Sequence, residues 1–219
     1  MGTPIHVPPP PRAAAPRPSV DIALAATAHF SACAVAGALA GFVWGGIGGR
    51  IAMRIVFLTS GDRVRGLTSD DGFEIGIISG NTIFLIAAMT VVGGFVGAFG
   101  GFFRMLPRSS PRTLAAGAAV AVGASAGATL VHTDGVDFRL LEPLWLTVGL
   151  FVFLPAAWAA TVVLVADRIV HHDRLAPNLG PAIDSRPAGL AGHLVVWAGM
   201  VALTILGIVD LVNDVRVLN

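Results

Sequence analysis

Apolar residues in this chain gather into five long runs, and the short stretches between them hold nearly all of its charges. The runs cover about 22–49, 82–103, 113–131, 144–166 and 190–212. A helix rising 1.5 Å per residue needs roughly 20 apolar residues to cross about 30 Å of hydrocarbon, and each run meets or approaches that length. Lipid offers no partner for an exposed backbone N–H or C=O, so helices are the form expected for them. The predicted fold class is an all-α membrane protein, a bundle of five transmembrane helices spanning residues 21–219. Residues 1–20, with Pro4, Pro8 to Pro11, Pro16 and Pro18, lack the apolar content to fold and are expected as a disordered tail.

Small residues refine that picture. Gly37, Gly41, Gly45 and Gly49 repeat every four residues in the first run, Gly93, Gly97 and Gly101 in the second, and Gly123 and Gly127 in the third. This spacing lets helix backbones approach closely, so glycine-rich close packing is expected, with the partner helix in the same chain or in a second copy. Pro155 should kink the fourth run by removing a backbone hydrogen bond. Gly45 to Gly49 should loosen the first helix where it leaves the bilayer. Beyond them, Ile51, Ile55 and Leu58 form a stripe beside Arg50 and Arg54, as in a short interfacial helix or a tilted extension of the first span. The connection 59–81 stays unassigned: Asp70-Asp71-Gly72 between partly apolar runs fits a hairpin, and Thr68 with Asp71 fits a helix cap equally well.

Composition agrees with the pattern. The chain is 55% hydrophobic and 12% charged, with mean hydropathy +0.79, where a soluble domain carries about 25% charged residues. A net charge of +1 gives no reason to expect nucleic acid as a partner. The lipid bilayer is the partner implied. All 14 basic residues are arginines, and Cys33, the single cysteine, cannot form an intrachain disulfide. Eight arginines fall on the side of the N-terminus and six on the other, and the loop holding Arg104, Arg108 and Arg112 contains no acid. The expected orientation is therefore N-terminus cytoplasmic and C-terminus outside.

Candidate chemistry is sparse. Arg50 and Arg54 stand one turn apart, where two guanidinium groups could grip a lipid phosphate, an anionic solute, or the carboxylates Asp70, Asp71 and Glu74 of the same connection. Asp210 is the carboxylate well inside an apolar run, near the outer end of the fifth span, at a height suited to an ion pair with Arg50 or Arg54. His29 and His193 sit at similar depth on two spans, the arrangement a b-type haem would require. No phosphate loop, nucleophile elbow or metalloprotease motif is present, and no metal or other cofactor is expected. The run Gly48-Gly49-Arg50-Ile51-Ala52-Met53-Arg54, followed by Asp70-Asp71-Gly72-Phe73-Glu74-Ile75-Gly76, resembles an uncharacterised family of small bacterial polytopic membrane proteins. That resemblance implies a bacterial inner-membrane location and no known activity, and it covers about residues 40–110.

Three readings follow. The first is a non-enzymatic protein with a structural, assembly or lipid-interacting role. The second is a small transporter or channel subunit with Arg50, Arg54 and Asp210 in a polar cavity. The third is a haem redox protein using His29 and His193. A transporter predicts a water-filled path to the midplane, whereas a packing protein predicts dry, glycine-closed contacts.

Overall fold

The computed structural model describes residues 18–64, 66, 80–104, 109–133, 137–172 and 187–218. Five helices within it are long and apolar enough to cross a membrane, and the described residues contain no strand. In chain order they are α1 (Pro18–Ala40), a π-helical segment (Gly41–Gly48), α2 (Gly49–Ser60), a 3₁₀ turn (Gly61–Val64), α3 (Gly80–Arg104), α4 (Pro111–Leu130), the single turn α5 (Asp137–Leu140), α6 (Leu144–His172) and α7 (Pro187–Leu218). Helix α1 begins at Pro18, inside the stretch assigned from sequence to the tail, and residues 1–17 lie outside the described residues. The chain is an all-α, multi-pass membrane protein.

The first span departs most from expectation. Gly48 and Gly49 hold ordinary helical angles (φ −59° and −58°), so the glycines do not release the helix. Instead the helix widens: the Gly49 N–H donates to the Trp44 carbonyl, five residues back. Helix α1, the π segment and α2 form one rod of 23, 8 and 12 residues. At 1.5 Å per residue that rod is roughly 60 Å long, about twice the hydrocarbon thickness. Its α2 end is therefore a helical extension beyond the apolar core. It stops at Gly61, whose backbone (φ 69°, ψ −151°) lies in a region open essentially to glycine alone.

The remaining spans follow the apolar runs and overshoot them, because a helix continues into water wherever charged side chains are solvated. Helix α6 runs through Pro155 to His172, and α7 extends from Pro187 to Leu218. Helix α4 starts sharply. Ser110 accepts a hydrogen bond from the Thr113 N–H at 3.2 Å, and Pro111 fills the first turn, where no N–H is needed.

The five spans pack as a row in the order α3, α1, α6, α4, α7. Glycines close three of the four contacts. A Cβ added to Gly97 would lie 2.5 Å from the Cys33 carbonyl oxygen, and one on Gly93 would lie 2.5 Å from that of Gly37. The α1–α3 crossing is thus backbone against backbone. A Cβ on Gly123 would meet that of Ala156 at 2.9 Å, and one on Gly127 would meet Val152 at 2.6 Å, which fixes α4 on α6. Gly207 fits against Ala124, while Gly117 leaves room for the Trp197 ring, so α4 and α7 run in parallel.

The fourth contact, α1 with α6, is made by tryptophans. Trp44 Nε1 donates to Thr161 Oγ1 at 2.9 Å, and Trp158 Nε1 donates to the Gly37 carbonyl at 3.3 Å. These bonds satisfy indole N–H groups that lipid could not. Cys33, Ala36, Ala40, Val162 and Ala166 form the dry core beneath them.

Candidate functional site

Helix α2 is positioned by one narrow face. Ala52, Val56 and Ser60 are buried at intervals of four, and Val56 joins Val64 and Leu141 in a second apolar cluster. Ser60 ties that face to the chain entering α6. Its hydroxyl donates to the Val56 carbonyl at 2.8 Å and lies 3.2 Å from the Glu142 carbonyl, and it accepts the Glu142 N–H at 2.8 Å. Phe138, buried on α5, packs edge-on against Phe151 at 5.3 Å.

With that face fixed, Arg50 and Arg54 stand one turn apart, as the sequence implies. Arg50 is half-buried, and its Nε and Nη2 are withdrawn from solvent. Arg54 is exposed, with its guanidinium carbon 5.2 Å from the centre of the Phe57 ring. Both groups are engaged by neighbours. Asp70, Asp71, Gly72 and Glu74, the partners proposed from sequence, lie outside the described residues. Asp210 is described, and the expected pairing is not formed. It is exposed on α7, a helix that packs on α4 at the end of the row, whereas α2 packs on α6. Similar depth in the bilayer did not bring the two sites to the same side of the bundle.

The two histidines meet different neighbours. His29 Nε2 donates to the Gly101 carbonyl at 3.0 Å, with Cys33 Sγ 3.8 Å away, so it ties α1 to the end of α3. That nitrogen is one a haem iron would need. His193, on α7, lies against the Trp197 ring at 6.5 Å. Among the described residues, no group of three or more His, Cys, Asp or Glu side chains is placed to hold a metal ion.

What the sequence reading did not foresee is a pair of clefts, each open on one side, among the described residues of the spans. One cavity, of about 510 Å³, is lined by all five spanning helices, including Cys33, Gly100, Trp158, Gly199 and Met200. It lies toward the side on which α1 begins. A second, of about 900 Å³, lies toward the opposite side between α4, α6 and α7, with Gly149, Val152 and Leu211 in its wall. Their linings are almost entirely hydrocarbon. Arg50, Arg54 and Asp210 line neither. A sequence signal for the first cavity does exist. Gly100 stands one position off the Gly93–Gly97–Gly101 stripe, and Gly199 belongs to no stripe in its helix. A Cβ on either would meet nothing within 4 Å.

No family model, curated protein or solved structure matches this chain.

Proposed function

We propose that this protein is a non-enzymatic, multi-pass membrane protein with a structural, lipid-interacting role, seated in a bacterial inner membrane with its N-terminus in the cytoplasm. One observation carries the reading: the two open clefts described above are walled almost entirely by hydrocarbon, while the helices around them meet through glycines at backbone distance. Water gains little from such surfaces and lipid chains fit them. The glycine faces that could have joined two copies are filled within the chain, which favours lipid over a second copy as the partner. The location rests on the resemblance of the 40–110 region, and the orientation on the arginine-rich loop at 104–112.

A solute-handling subunit is the second reading, favoured by two guanidinium groups one turn apart on α2, at the end of the first span. Thiol labelling separates the two. In a Cys33→Ala background, Thr161→Cys in the middle of α6 should resist a charged methanethiosulfonate in intact vesicles. Rapid modification there would establish a water path and defeat the structural reading. In the same background, Ser110→Cys should label from the cytoplasmic side and Val136→Cys from the other; both labelling from one side would contradict the crossing of α4, and exchanged sides would reverse the orientation.

A further inference from the structure

We propose that the cavity bounded by α3 and α7 is a seat for one hydrocarbon tail of a bilayer lipid. The inference deepens the lipid-interacting reading above and rests on it. Helices α3 and α7 are the two ends of the row, yet both contribute to this one cavity, so the row curls and leaves a cleft between its ends. Val96 and Phe99 on α3, with Val195 and Leu203 on α7, line the cleft and are also exposed, which puts bilayer hydrocarbon at its entrance. The polar groups nearest its end are already committed: His29 Nε2 to the Gly101 carbonyl, and Trp197 Nε1 to Ser109 Oγ at 3.0 Å.

Size then selects the occupant. The cleft holds about 510 Å³ and opens on one side past exposed Val96, Phe99, Val195 and Leu203, so bilayer hydrocarbon reaches it directly. At about 30 Å³ per water-sized group, the same space takes roughly 17 such groups, near the methylene count of one long acyl chain. The width is set by Gly100 and Gly199. Every other glycine of α3 within the cleft region presses on a neighbour, as Gly97 and Gly101 do on Cys33, whereas these two face open space from opposite ends of the row.

The test uses the full chain in vesicles of phosphatidylcholine and phosphatidylglycerol. A trace of phosphatidylcholine carries a diazirine on one acyl chain. After irradiation, adducts should concentrate on Trp158, Val163 and Met200 over Phe84 and Ile205, which are exposed on α3 and α7. In Gly100→Leu/Gly199→Leu, whose added side chains enter open space, the cavity adducts should be lost and those at Phe84 and Ile205 kept. Adducts no denser in the cavity than on the surface would overturn the proposal, as would cavity adducts that survive the double substitution. Covalent chain-to-chain dimers at these positions would equally defeat it. Should the double variant fail to accumulate, the wild-type adduct map decides alone. Failure here combined with protection of Thr161→Cys from charged reagent removes the tail site and leaves the structural reading standing.

Discussion

Replacing Gly97 by alanine, with Gly100→Ala as its matched control, measures what the α1–α3 crossing contributes. Both residues lie on α3, three positions apart, and both substitutions exchange a glycine for alanine, so the gain in helix propensity of about 1 kcal/mol is common to the pair. Only the surroundings differ. The new Cβ at 97 falls 2.5 Å from the Cys33 carbonyl oxygen and 2.7 Å from the Gly37 Cα, while the one at 100 meets nothing. To bring 2.5 Å out to the 3.4 Å where ordinary contact begins, the helices must part locally by about 0.9 Å. A gap of that size forfeits roughly a quarter to a half of each atom-pair attraction of 0.1–0.2 kcal/mol, so about twenty pairs along the crossing lose on the order of 1 kcal/mol. Residual strain raises the difference to the roughly 1–3 kcal/mol typical of overpacked sites. Unfolding in mixed micelles of mild detergent and dodecyl sulfate, followed by circular dichroism, reads it. Gly97→Ala should be less stable than Gly100→Ala by that amount. Equal stability of the two variants would refute the backbone-contact account of this crossing.

Three further outcomes follow from the same contacts. Ser60→Ala strands the Glu142 N–H and should lower stability by about 1–3 kcal/mol, with faster amide exchange at Glu142; unchanged exchange there would contradict the clamp. Trp44→Phe and Thr161→Val each break one hydrogen bond, so a double-mutant cycle should return a coupling of about 0.5–1.5 kcal/mol, and strict additivity would disprove the bond. Arg54→Gln, at an exposed guanidinium beside Phe57, should cost about 1 kcal/mol or less, while Arg50→Gln, with two nitrogens withdrawn from solvent, should cost more; melting temperatures in detergent rank them, and the reverse order would refute the burial argument.

The spans were legible because hydropathy is a one-dimensional property, and the membrane imposes it on each segment separately. Their ends were not, since charges at Asp167 and Arg168 close an apolar run without ending a helix that water can solvate. The glycine stripes of α1 and α3 were readable from their period of four. Gly117 and Gly207 were not, because each works alone against a partner that only the assembled row supplies. The same limit explains Asp210. Position along a span gives depth in the bilayer, but the order of helices around the bundle is a tertiary fact, and the two arginines lie along a different stretch of that order. The cavities were missed for a related reason: Gly100 and Gly199 stand visibly off the stripes, but the space they face is bounded only once the row is assembled.

The widened turn between Gly41 and Gly48 leaves α2 with a rotational phase of its own. In a regular helix each residue advances the azimuth by about 100°. A widened turn holds more residues than a regular one, so removing one residue and letting the stretch close to a regular helix would leave the faces of Arg50 and Ser60 near their present bearing. The same deletion in the regular part of α1 would instead swing them by more than a quarter-turn, so the widened turn is the one place in this rod where a lost codon leaves the arginine pair's heading intact.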